Sequence, residues 1–173
     1  MAEIEKSEEA AELYGNARLI VDSKDYAKAV AMYSEVLKLL PNDSDSFTYN
    51  GEAYTKDEIY KDRGSCYNSL EQPEKALDDF NKAISINPKN ARFYSDRSSV
   101  YLALGETEKA KADLEKSVEL KSEKAADEYC NFGLRVLKYT GNKKEAAVYL
   151  KKAVELGDDR WGTAKKRLAE LGI

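Results

Sequence analysis

The stretch YKDRGSCYNSLEQPEKALDDFNKAISINP, residues 60–88, recurs in altered form along the chain, and the spacing of its copies constrains the fold more than any other feature. It reads as two short amphipathic helices joined by a turn at Leu70–Pro73. Gly64, Ala76 and Ala83 are small where two helices must approach closely, and Tyr60, Tyr67, Phe80 and Ile84 are large where the gap must be filled. Pro88 closes the second helix, because it lacks the N–H for the helix ladder and restricts the residue before it. Tyr94, Ser98 and Tyr101 follow Tyr60, Gly64 and Tyr67 by 34 residues each. A period of that length built from two helices predicts an all-α array of helical hairpins.

Four copies are legible, approximately 10–43, 57–90, 91–124 and 127–158, within one expected domain of 173 residues. Residues 1–9 read as a frayed or capping start. The first copy carries Leu13, Ala17 and Ile20 on one face, then a polar turn with Ser23 or Asp25 as N-cap, then Ala29, Tyr33, Val36 and Leu37 up to Pro41. In the third copy Gly105 ends the first helix, Thr107 is expected to cap the second, and Ala110, Leu114 and Val118 form its buried face. The fourth shows Phe132-Gly133, a stop at Thr140-Gly141-Asn142, and Ala146, Leu150, Ala153 and Val154. A tail over 159–171 puts Trp161, Ala164, Leu168 and Leu171 on one stripe, as a terminal capping helix requires. Pro41 to Pro88 spans 47 residues, which leaves 13 extra residues at 44–56. Asn50-Gly51 within them is a strong two-residue hairpin signal, and a lengthened helix is the alternative.

Composition excludes several classes of work. The net charge of −4 disfavours nucleic acid and anionic membrane surfaces, which need a basic face. The charge is uneven: residues 1–62 hold fourteen acidic and seven basic side chains, a balance of −7, so the remainder carries +3. No segment reaches the roughly 20 apolar residues of a membrane span, and the acidic start lacks a signal peptide's apolar core. A cytoplasmic chain is the expectation; a secreted or periplasmic chain with its leader removed is the alternative. Cys66 and Cys130 are expected to be reduced packing residues. There is no histidine, and the two cysteines cannot supply the four ligands of a structural zinc site. Asp43-Ser44-Asp45 begins like a calcium loop, but Phe47 and Thr48 break its pattern. Asp78-Asp79 reads as solvated surface, since adjacent helical residues diverge by about 100°. No enzyme, cofactor or metal is expected.

Small Gly64, large Tyr67, Ala76, aromatic Phe80, Ala83 and Pro88, repeated at a fixed period, resemble the tetratricopeptide repeat family over roughly residues 10–158. The last copy resembles the related Sel-type helical repeats as well. Arg63 and Arg97 stand where the family often has Leu, and Ser117 and Ser122 where Ala and Pro are usual. The resemblance implies a right-handed superhelical solenoid whose first helices line a concave groove for an extended peptide or a partner's helix. By position that groove would include Arg18, Glu58, Lys61, Asp62, Ser65, Asn68, Arg92, Ser95, Asp96, Ser99, Asn131 and Arg135. Chaperone-tail binders of the family clamp a carboxylate with Lys, Asn and Arg; here Tyr14, Arg18, Asp62 and Asp96 replace most of that set, leaving Arg92. Two acids at such places would repel a carboxylate. The implied partner is a protein or peptide, basic or hydroxyl-rich, with Asp62 and Asp96 either selecting it or pairing with Lys61, Arg63 or Arg97. Phe47, Tyr49 and Tyr54 on the insertion are further candidate contacts, or packing residues. The implied function is a non-catalytic interaction scaffold. End-to-end self-assembly and a regulatory or chaperone-like subunit are the alternatives, and the pattern carries no signal for oligomeric state.

Overall fold

The structure is a computed structural model that describes residues 2–157 and 162–173. Its chain contacts divide it into two compact units, Met1–Pro88 and Lys89–Ile173.

In the first unit, α1 (Ala2–Asp22) and α2 (Tyr26–Leu39) form one helical hairpin, and α3 (Lys56–Ser69) and α4 (Pro73–Ile86) form a second packed on it through α2 and α3. The side chain of Asp25 caps α2 by accepting from the Lys28 N–H at 3.2 Å. Pro73 opens α4, where its missing N–H costs nothing, and the helix ends at Ile86, two residues before Pro88. Of the two readings of the chain's start, frayed or capping, α1 is helical from Ala2 and so begins well before the repeat pattern at Ala10. Residues 44–56 hold β1 (Ser46–Tyr49) and β2 (Glu52–Thr55), an antiparallel pair with Phe47 opposite Tyr54 and Tyr49 opposite Glu52. Asn50 and Gly51 both have positive φ, 52° and 82°, as the type I′ turn that matches strand twist demands. The hairpin reading therefore replaces the lengthened helix.

In the second unit, α5 (Ala91–Ala103) pairs with α6 (Thr107–Leu120), and α7 (Ala125–Thr140) pairs with α8 (Lys143–Glu155). A single 3-10 turn, Ser122–Lys124, stands where the expected proline is absent. Thr107 is the first helical residue of α6 and Glu106 occupies the cap, so the expected Thr107 cap is corrected by one position. Gly141 ends α7 at φ 65°, a left-handed cap that a Cβ would strain. Helix α9 (Thr163–Glu170) buries Ala164 and Leu168 against Leu150, Ala153 and Cys130, as a terminal helix with one apolar stripe should. Trp161 and the start of the expected 159–171 helix lie outside the described residues.

Inside each unit the small–large code is realised as contact. A Cβ on Gly64 would lie 3.2–3.3 Å from Asp79, the Ala76 carbonyl oxygen and Phe80, a tight fit that glycine avoids where α3 and α4 approach. Tyr33, Phe80, Phe93, Phe132 and Leu150 fill the gaps and are almost wholly buried. Each such side chain contributes about 1.5–3 kcal/mol of transfer free energy. Cys66 and Cys130 are both buried thiols.

Two departures from the family pattern prove to be one repeated device. Arg63 donates through Nε and Nη2 to the two carboxylate oxygens of Asp79, both at 2.8 Å, and through Nη1 to Ser34 at 2.9 Å. It lies between the rings of Tyr60 and Tyr67, 5.6 and 5.8 Å from their centres. Arg97 repeats the arrangement: Asp113 at 2.9 and 2.7 Å, Tyr94 and Tyr101 at 5.6 and 5.7 Å. Asp79, expected at the solvated surface, is 2% exposed because it is the counter-ion of this buried guanidinium. At the matching places of the fourth copy Phe132 and Tyr149 meet edge to face, 4.7 Å apart, so the same gap is filled without charge.

Candidate functional site

Three elements converge on Tyr14 in the first unit. Its ring centre lies 4.5 Å from that of Tyr54, 5.3 Å from Phe47, 5.6 Å from Tyr49 and 5.9 Å from Tyr33. Alternation along β1 and β2 places Phe47, Tyr49 and Tyr54 on one face, and that face lies on α1. Gly15 permits this, for a Cβ there would meet the Tyr49 ring at 2.5 Å. Phe47 is 2% exposed and its ring completes the Tyr14 cluster, the packing alternative of its two readings. Tyr49 and Tyr54 are half-buried in the same cluster.

The polar candidates of this unit are tied to that cluster. The Tyr14 hydroxyl donates to Asp62 at 3.0 Å, and Lys61 pairs with the other oxygen of the same carboxylate. Burial, and then the Asp62 charge, raise the Tyr14 pKa far above the usual phenol value. Arg18 donates to the Tyr54 hydroxyl at 3.2 Å, which in turn donates to Glu52 at 3.0 Å. Asp62 is thus partnered by Lys61 and Tyr14, whereas Arg63 and Arg97 belong to the Asp79 and Asp113 pairs. Ser65 bonds back to the Lys61 carbonyl at 3.0 Å, and Asn68 is half-buried one turn further on. Glu58 accepts from the Thr55 N–H at 3.3 Å and fixes the exit from the hairpin into α3; burial raises its pKa.

The second unit gathers the remaining candidates on α5 and α7. Ser95, 8% exposed, donates its hydroxyl to Glu128 at 2.9 Å and accepts from Nη1 of Arg135 at 3.0 Å. The same Nη1 donates to the Ser95 carbonyl at 2.7 Å. The Nε–H and Nη2 groups of Arg135, the edge that binds oxygens in parallel pairs, meet no acceptor among the described residues. Ser99 bonds back to Ser95, Asn131 is exposed, and exposed Arg92 stands 3.8 Å from Asp96. Glu128 was not foreseen; its place on α7 follows the irregular spacing of the fourth copy, which blurred its alignment with Ser95. Among the described residues no group of acids and cysteines is arranged to hold a metal, and no helix is long and apolar enough to cross a membrane.

Tetratricopeptide repeat models match residues 58–90, 80–112 and 127–156. The chain belongs to the tetratricopeptide repeat family. The solved structures it resembles include MamA from Desulfovibrio magneticus RS-1, with 24% identity over 83% of this chain and 73% of that one and a TM-score of 0.64. Another is YrrB, a tetratricopeptide repeat protein with an unusual peptide-binding site, with 20% identity over 91% and 74% and a TM-score of 0.64. A third is the first such domain of Spaghetti (RPAP3) bound to the HSP90 peptide SRMEEVD, with 21% identity over 84% and 95% and a TM-score of 0.58. At these identities the likeness establishes the shared all-α repeat fold. No sequence match is found among curated proteins.

Proposed function

We propose that this chain is a non-catalytic scaffold that holds a peptide or helix of a partner protein on the polar faces of its first helices. The observation that carries the reading is Arg135: Ser95 fixes its Nη1 while its bidentate edge meets no acceptor among the described residues. A guanidinium held in this way needs little further ordering to take an oxygen from a ligand. Glu128, joined through the Ser95 hydroxyl, offsets part of its charge, which suits the fork to main-chain carbonyl and hydroxyl oxygens. Asp96 on the same face favours a basic or hydroxyl-rich segment over an acidic one. YrrB and the Spaghetti domain, which share the fold, have a peptide-binding site and a bound peptide respectively.

Selection from a random peptide library, followed by calorimetric titration, tests the reading. Selected peptides are expected to be basic or hydroxyl-rich, to outbind SRMEEVD, and to lose about tenfold or more in affinity with Arg135→Ala, the magnitude of a charge-assisted hydrogen bond. Peptides whose affinity is unmoved by Arg135→Ala and Asn131→Ala would remove recognition from this face.

A further inference from the structure

The β-hairpin presents a feature that packing inside its unit does not use. In a two-residue hairpin the residues flanking the turn exchange both main-chain bonds, so Tyr49 with Glu52 and Phe47 with Tyr54 are the bonded pairs. The N–H and C=O groups of Ser46 and Thr48 therefore point outward along β1. Among the described residues neither has a main-chain partner outside the strand pair. Their side chains are exposed as well.

Beside this edge runs the long extension of α1. A depression of about 520 Å³ is lined by Ile4, Ser7, Glu8, Ala11 and Thr48. A second, of about 290 Å³, brings Lys6 and Ser7 to Ser46. Ile4, 64% exposed, offers an apolar contact in the first. Glu5, Glu8 and Glu12 are spaced by three and four along one exposed stripe of α1, with Lys6 the one base between residues 4 and 12.

We infer that the outer edge of β1 receives an extended, basic segment of a partner protein as a third strand, laid along the acidic N-terminal half of α1. Main-chain bonds to Ser46 and Thr48 give such a segment its hold, and alternate side chains give selectivity: an apolar one over Ile4 and Ala11, basic ones toward the glutamates. A third strand also reinforces a ladder that is marginal with two. This site is independent of the Arg135 face, because its residues belong to the other unit.

The probe is a fluorescein-labelled nine-residue peptide alternating lysine and valine, titrated into the full chain by anisotropy. It is expected to bind, more weakly as salt rises, and to slow hydrogen exchange at the Ser46 and Thr48 amides. N-methylation of one alternating set of its amides should weaken binding by about tenfold or more and the other set should not, because only one set faces β1. Glu5→Lys/Glu8→Lys should weaken it while circular dichroism shows unchanged helix, and Arg135→Ala should leave it intact. Absence of binding, equal affinity of both methylated peptides, or equal affinity of a glutamate–valine counterpart would overturn the inference. Loss of binding in Arg135→Ala would overturn it too, by moving the peptide to the α5–α7 face.

Discussion

Arg63→Leu should be among the most damaging single substitutions in this chain, and Arg63→Leu/Asp79→Leu among the most benign doubles. Among the described residues Asp79 accepts from Arg63 alone and its side chain is 3% exposed, so the single change leaves a buried carboxylate without that counter-charge. Breaking a buried pair in this way costs about 3–5 kcal/mol. Replacing both members by apolar side chains removes the unpaired charge and fills the gap as Phe132 and Tyr149 do in the fourth copy, so the double is expected within about 1 kcal/mol of wild type. Asp79→Leu alone should fall between, because the freed guanidinium keeps Ser34 and two tyrosine rings. The assay is urea unfolding followed by circular dichroism, read as a double-mutant cycle. Singles costing under about 1 kcal/mol, or a double as costly as their sum, would refute the view that the pair matters through desolvation.

Other substitutions and conditions test the remaining packing arguments. Ser117 is fully buried with its hydroxyl unpartnered among the described residues, so Ser117→Ala should raise stability by about 1 kcal/mol, read from the urea midpoint. Gly15→Ala places a methyl group against the Tyr49 ring and should speed hydrogen exchange across residues 46–55 without loss of helix; Tyr49→Ala should abolish that effect of Gly15→Ala. Burial raises the pKa of Tyr14 and Tyr33 and pushes the Cys66 thiol up to about 12, so the folded chain keeps these protons where the unfolded chain loses them. The stability they confer is whole below the unfolded values and declines as pH rises toward the folded ones. The urea midpoint should therefore fall above about pH 9, and less steeply in Tyr33→Phe.

The helices were legible in the sequence because the 34-residue period sets small residues against large ones at fixed offsets, and packing obeys that code directly: Gly64 on Ala76 and Phe80 is both the motif and the contact. The hairpin was legible because Asn50-Gly51 has few other uses. The charge device was less so. Arg63 and Arg97 were visible as departures, and the same 34-residue offset from Asp79 to Asp113 was present in the sequence. Counting Asp79 with its neighbour Asp78, however, concealed its partnership with a residue sixteen positions earlier on another helix. The site was legible as a set of positions and opaque as a set of partners. Asp62 read as a selector of ligand or a partner of Lys61, Arg63 or Arg97; Lys61 does meet its charge, and the Tyr14 hydroxyl, which the repeat pattern did not point to, meets it as well. The Ser95–Glu128–Arg135 link depends on where α7 lies against α5, and the extra residues before α7 shift that register from the repeat.

Hydrogen exchange measured along the whole chain, with and without a library-selected peptide, tests the central claim most directly. The account predicts slowed exchange in α5 around Ser95 and in α7 around Asn131 and Arg135, lost with Arg135→Ala while the helices keep their intrinsic protection. Protection confined to the outer face of α6 and α8, or unchanged in Arg135→Ala, would contradict it.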